Sequence, residues 1–163
     1  WMQECSNKVI QQGEIVSFDT DMVGPYGYCA DISRAFVVGN KFNDEQKKLY
    51  SMAMEQIDYN SRLIKDGLSF KEFTEKSWNL PEDYYPNRYS VMVHGIGLCD
   101  EWPAIRYPTD GGERSGTFQK NMTITVESYI GKVGGKEGVK LEQQYLIGEN
   151  GLELMSHHPL EDI

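Results

Sequence analysis

Acidic side chains interrupt the stretches of this sequence that are otherwise built to form β-strands. Glu14 to Val23 (EIVSFDTDMV) and Tyr28 to Val38 (YCADISRAFVV) are rich in β-branched and aromatic residues, yet they carry Asp19, Asp21 and Asp31. Met122 to Ile130 (MTITVESYI) carries Glu127, and Gly138 to Ile147 (GVKLEQQYLI) carries Glu142. Aspartate is depleted in strands, and an unpaired carboxylate is costly to bury. Side chains alternate along a strand, so Asp19 and Asp21, two apart, are expected on one face. Taken singly, each acid reads as a solvated residue on the wet face of an antiparallel sheet. Taken together, acids gathered on one sheet repel one another unless cations neutralise them. Two divalent ions would hold four or five carboxylates.

His94 follows the apolar run Tyr89 to Val93 (YSVMV) and opens the segment HGIGLCDEWP. A lone histidine is often a satisfied core residue. As the one nitrogen donor among these acids it indicates a first-row ion (iron, manganese, cobalt or zinc) rather than calcium, which takes oxygens only. Asp100, six residues on, reads as a further ligand, a general base or ordinary loop polarity.

The pattern around these residues is α+β. Gly24-Pro25-Tyr26-Gly27 turns the first two runs into a hairpin, with Pro presetting φ and Gly supplying positive φ. Asn43 is placed to cap a helix that Asp66-Gly67 ends, and Ser69 a shorter one reaching about Trp78. Leu80 to Asn87 reads as a loop, and Gly95 to Gly116, with its glycines and prolines, as a long irregular segment. Leu152 to Met155 is a last short strand. The 163 residues suffice for one domain with a real core. A net charge of −9 argues against nucleic acid and anionic membrane surfaces as partners. No long apolar run or leader is visible. Cys5, Cys29 and Cys99 lack metal-type spacing and read as reduced thiols of a cytoplasmic protein. The opening Trp1-Met2-Gln3-Glu4-Cys5 reads as a cut from a longer chain.

The ordered set Asp21, Asp31, His94, Glu127 and Glu142 resembles the Asp, Asp, His, Glu, Glu order of the pita-bread metallohydrolases. These are the methionine aminopeptidases, prolidases and aminopeptidases P, with creatinase a metal-free cousin. YCADISRAF, HGIGL, ITVESYIG and GVKLEQQYLIGENGLEL carry the likeness. It implies a pita-bread fold with helices outside a curved antiparallel sheet. The 163 residues would be the C-terminal part of the catalytic domain, with the N-terminal domain and the first part of the catalytic domain absent. Four departures redirect the expected activity. Asp100 stands where the peptidases have a histidine, Ser128 replaces a proline, and Lys140 replaces an arginine. FDTDMVGPYGYCAD places acids ten and twelve residues before Asp31 rather than eleven, while WMQEC, ESYIG and the ending through His157-His158-Pro159 resemble a lyase branch of the same fold.

With these features the chain resembles the DddP-type dimethylsulfoniopropionate (DMSP) lyases. The resemblance implies Asp19, Asp21, Asp31, His94, Glu127 and Glu142 as ligands of two divalent transition-metal ions, with iron favoured. Asp31 and Glu142 would bridge the two ions. Asp100 would be the base, Tyr89 a second catalytic and substrate-facing residue, and Trp102 another substrate face. Arg34 is expected to buttress the acids, and His157 and His158 to be exposed tail residues. The full-length protein is expected to be a homodimer. A metallopeptidase of the Xaa-Pro type and a metal-free binding module are the competing readings.

Overall fold

The computed structural model describes residues 7–39, 41–112 and 115–160, so the reading of Trp1 to Cys5 lies outside the described residues. The first two runs do form a hairpin, but it is broken in the middle. β1 (Ile15–Asp19) pairs antiparallel with β4 (Ser33–Val37), and β2 (Met22–Val23) pairs separately with β3 (Cys29–Ala30). Between the two ladders, the Thr20 hydroxyl lies 3.0 Å from the Ile32 carbonyl oxygen and 3.2 Å from its amide. A side chain thus satisfies the backbone groups that a continuous ladder would have paired. The turn at the tip is a 3-10 turn over Pro25–Gly27 with positive φ at both Tyr26 and Gly27.

α1 (Asp44–Leu63) begins at a full capping box, in which Asn43 accepts from the Gln46 amide while the Gln46 side chain accepts from Asn43. α2 (Phe70–Lys76) is capped by Ser69. The main sheet has five antiparallel strands in the order β6-β5-β7-β8-β9. These are β5 (Val91–Gly95), β6 (Ala104–Arg106), β7 (Thr123–Gly131), β8 (Gly138–Ile147) and β9 (Leu152–Leu154). Two expectations are corrected here. The segment after His94 contains β6, too short to stand out by alternation. The strand before it starts two residues late, so His94 lies inside β5 and Tyr89 ahead of it.

Alternation on β7 and β8 sorts the side chains cleanly. Ile124, Val126 and Ile130, with Val139, Leu141 and Ile147, join Leu49, Tyr50, Ala53 and Ile57 of α1 in one core. Ser128 donates to Gln56 of α1 at 2.6 Å, which fixes that face as the helix side. Glu127 and Glu142 pair directly across the ladder, and with Lys140 they lie on the opposite face. The β1–β4 ladder packs against β8 on the same flank. The acidic face is therefore covered, and Asp31, His94, Glu127 and Glu142 are each 3% exposed or less. Solvation does not explain these four residues. No helix among the described residues is long and apolar enough to cross a membrane.

Candidate metal centre

His94 Nε2 is the point on which the buried acids converge. It lies 3.2 Å from Glu142 Oε1, 3.6 Å from Asp31 Oδ2 and 3.7 Å from Glu127 Oε1. Metal–ligand bonds of ~2.0–2.2 Å separate neighbouring donors by roughly 3 Å or slightly more, so Asp31, His94 and Glu142, whose ligand atoms all lie within 4.8 Å of one another, suit a single ion, with Glu127 beside His94. The other ring nitrogen, Nδ1, is 3.1 Å from the Gly95 carbonyl, a contact that would fix the tautomer leaving Nε2 free to ligate. Two buried oxygens, Asp31 Oδ1 and Glu127 Oε1, have no hydrogen-bond partner. Buried oxygens left this way are costly unless something else satisfies them, and a cation would.

A second group of donors adjoins the first. Asp21, Asp31 and Asp100 offer oxygens all within 4.8 Å of one another, and the ligand atoms of Asp31, His94 and Glu142 are as close, with nitrogen from His94. Asp31 belongs to both groups. The structure thus brings Asp21, Asp31, Asp100, His94, Glu127 and Glu142 together. Asp19 is separated from Asp21 by the break at Thr20, so the expected shared strand face does not exist. Asp19 instead turns to Ser33, whose hydroxyl lies 2.6 Å from Asp19 Oδ1 and 2.9 Å from Glu142 Oε2, and to Lys140 at 3.6 Å.

Without an ion the centre stores protons. Burial, followed by Glu142, Asp21 and Asp19, pushes Asp31 up to about 9. Burial raises Glu127 to about 8 against the pull of Lys140. His94 loses by burial but gains more from its contact with Glu142 and the charge of Glu127, and rises to about 9. Glu142 is opposed by burial, yet Lys140 and His94 bring it down to about 2. Burial also works against the Lys140 charge, and Glu127, Glu142 and Asp19 more than offset it, holding Lys140 well above the usual lysine value.

Tyr89 and Trp102 do not meet. The Tyr89 hydroxyl reaches Glu101 Oε1 at 3.5 Å, and its ring lines a cavity of about 390 Å³ with Asp19, Tyr129 and Lys140. Trp102 is exposed and lines another cavity, also about 390 Å³, with Tyr28, Ile96 and Leu98. Arg34 supports the centre through backbone rather than carboxylates. Its buried guanidinium donates to the carbonyls of Ser33, Glu142 and His158 and to the Gln143 side chain. His157 and His158 are exposed, as expected for their side chains. Sequence reasoning missed Ser33 and gave Lys140 no role. Their signal was the same period of two, since Ser33 is two residues from Asp31 and Lys140 two from Glu142.

The profile of metallopeptidase family M24 matches residues 1–149. The chain belongs to family M24. Within that family it is 40% identical over 165 aligned positions to the dimethylsulfoniopropionate lyase DddP of Roseovarius nubinhibens, covering 99% of this chain and 37% of that protein. It is 32% identical to an Xaa-Pro dipeptidase of Pyrococcus horikoshii, covering 90% of this chain and 40% of that one. Among solved structures, the prolidase from Pyrococcus horikoshii OT3 superposes with a TM-score of 0.79 at 29% identity, covering 97% of this chain and 44% of that one. The X-Pro aminopeptidase of Thermotoga maritima gives 0.76 at 28%, with 97% and 44% covered. The M24 chain thus has the pita-bread fold and spans about two fifths of the length of these relatives.

Proposed function

We propose that this M24 chain carries the metal centre of a dimethylsulfoniopropionate lyase, which cleaves its substrate to dimethyl sulfide and acrylate. The observation that carries the reading is the position of Asp100, a loop carboxylate that accepts from the Glu101 amide at 3.1 Å and lies within 4.8 Å of Asp21 and Asp31. The 40% identity to DddP supports the same reading. Asp31, His94, Glu127 and Glu142 would hold one divalent ion and Asp21 with Asp31 a second, Asp19 supporting them through Ser33. When bound, the ions supply Lewis-acid stabilisation of the charge that develops on the substrate carboxylate.

The chain's own residues do the rest. Asp100 takes the proton from the carbon next to the substrate carboxylate. The electron pair forms the carbon–carbon double bond, and the carbon–sulfur bond breaks with its electrons leaving on sulfur. Neutral dimethyl sulfide and acrylate result, and Asp100 later returns the proton to solvent. Burial raises the Tyr89 phenol above its ordinary value, so it stays a protonated donor and an aromatic face beside the substrate. Trp102 would act on the substrate only from the rim. Iron as the resident metal, a homodimeric full-length protein and a cytoplasmic location belong to this proposal.

A second reading, a dinuclear Xaa-Pro dipeptidase, is favoured by the likeness to the Pyrococcus horikoshii enzyme. The deciding experiment gives the metal-loaded full-length protein DMSP, with headspace detection of dimethyl sulfide, beside an Xaa-Pro dipeptide. Asp100→Asn should keep its metal while lyase turnover drops ~10²–10⁴-fold, the usual worth of a general base. Metal lost together with activity would make Asp100 a ligand. Peptide cleavage without dimethyl sulfide would select the second reading, and failure to bind metal would leave a binding module.

A further inference from the structure

Two glycines that no turn requires face each other in the main sheet. Gly131 ends β7, Gly138 begins β8, and the two are ladder partners. Neither adopts a positive φ, so the backbone at both positions would accept any residue. Space is what forbids a side chain. A methyl group built on Gly138 would stand 2.3 Å from the Tyr129 hydroxyl oxygen and 2.6 Å from Tyr129 Cζ, and one on Gly131 would stand 2.8 Å from the same oxygen. The phenol of Tyr129 therefore lies astride the pair, and the glycines form the berth on which it rests.

Alternation puts Glu127, Tyr129 and Gly131 on one face of β7, opposite Glu142, Lys140 and Gly138 of β8. Tyr129 thus stands between the acid pair and the glycine pair, and its ring leans toward the glycines. It packs with Tyr89, Val91 and Ala104 and is half-buried. Tyr129 and both glycines line the cavity of about 390 Å³ that Tyr89 and Lys140 also border. Lys140, 2.6 Å from Glu127 Oε2, marks the end of that cavity nearest the metal centre.

We propose that Tyr129 is a specificity-determining residue: berthed on Gly131 and Gly138, its phenol is the wall that limits the bulk of the ligand this cavity admits beside the metal centre. The identity of that ligand rests on the lyase reading, in which the dimethylsulfonium end of the substrate extends along Tyr129. The size limit itself stands for any small carboxylate bound at the centre. Shortening the side chain widens the cavity. A methyl group on either glycine lifts the phenol off its berth and narrows the space. The two perturbations act in opposite directions through one ring, whereas a merely structural role would give neither direction.

The test uses the metal-loaded full-length protein, with near-ultraviolet circular dichroism as the check on folding. It compares kcat/KM for DMSP and its diethylsulfonio homologue, and the dissociation constants of acrylate and hexanoate by titration calorimetry. One methylene in a closed pocket is worth ~10–200-fold in discrimination. Tyr129→Ala should therefore shift both bulky-to-small ratios at least ~10-fold toward the bulky ligand. Gly138→Ala should shift them toward the small one. Gly138→Ala combined with Tyr129→Ala should return to the Tyr129→Ala ratios, because the methyl group then has no ring to displace. Unchanged ratios in folded Tyr129→Ala would overturn the proposal, and so would a double variant that keeps the Gly138→Ala ratios. Tyr129→Leu and Gly131→Ala are read by the same criteria should the first variants fail to fold. Absence of dimethyl sulfide from the unsubstituted protein would defeat the lyase reading, and the acrylate and hexanoate constants would still decide the role of Tyr129.

Discussion

Substituting Gly95 tests whether the loop that carries Asp100 is clamped to the strand that carries His94. A methyl group built on Gly95 would stand 2.1 Å from the Trp102 carbonyl oxygen, 2.7 Å from its carbon and 2.8 Å from Pro103 Cδ. Ordinary contact begins near 3.4 Å, so in Gly95→Ala the Trp102 carbonyl must retreat by about 1.3 Å. Backbone is what must move, and the Gly95 amide donates to the Pro103 carbonyl at 2.9 Å, so that bond is pulled as well. Overpacking of this kind costs ~1–3 kcal/mol, and a lost hydrogen bond adds ~1 kcal/mol. At roughly 2–4 °C per kcal/mol for a chain of this size, the melting temperature should fall by about 5–15 °C. The displacement passes along the short segment to Asp100, and a misplacement of ~1 Å can cost ~10²-fold in turnover. Differential scanning calorimetry, elemental analysis and dimethyl sulfide release measure the three consequences. Metal bound through His94 should persist while turnover drops. Unchanged melting and unchanged turnover would refute the clamp and, with it, the idea that this contact sets the Asp100 position.

Asp31→Asn should lower metal content at both donor groups, because Asp31 belongs to each. Elemental analysis showing two ions per chain retained would contradict the shared role. The chelator-treated protein should lose stability as pH rises. Asp31 and Glu127, at about 9 and 8 when folded against 3.8 and 4.5 as free groups, and His94, at about 9 against 6.5, all hold extra protons in the folded state. Their stabilisation is complete below the unfolded values and is lost through about pH 9, whereas the stabilisation from Glu142 is fully present above 4.5 and is lost only as pH falls toward about 2, outside this window. Melting curves from pH 5 to 9 should fall steadily without metal, and added manganese(II) or cobalt(II) should abolish the slope. Arg34→Met leaves the carbonyls of Ser33, Glu142 and His158 without their donor, and at ~1–3 kcal/mol for each unsatisfied buried group the loss in a urea titration should exceed about 2 kcal/mol.

What was legible in the sequence follows from periodicity and capping. Glu127 and Glu142 stand in long alternating runs, so their shared face was set once β7 and β8 were recognised. Asn43, followed by Asp44 and Glu45, announced the start of α1. The break at Thr20 was not legible, because a hydroxyl replacing ladder hydrogen bonds leaves no mark on an alternating pattern. That break carried Asp19 and Asp21 apart. β6 was hidden for a different reason: Ala104–Arg106 is too short for alternation to show and is specified by its pairing with β5. Lys140 is also a tertiary outcome. The period of two puts Lys140 on the face of Glu142, but its contacts with Glu127 and Asp19 come from other strands, which GVKLEQQYLI does not disclose.

The convergence on His94 has a consequence for how long the molecule persists. Ser33 and Glu142, which meet at the edge of the centre, are 109 residues apart in the chain. A cation held by Asp31, His94, Glu127 and Glu142 joins the first hairpin to three strands of the main sheet, and so acts as a removable cross-link spanning most of the polypeptide. Cross-links that close long loops restrict the unfolded ensemble most, and a ligand that binds only the native state adds stability with its concentration. If the centre holds its ion, metal supply would govern lifetime as well as chemistry: the ion-free chain would open more often and expose backbone to proteases.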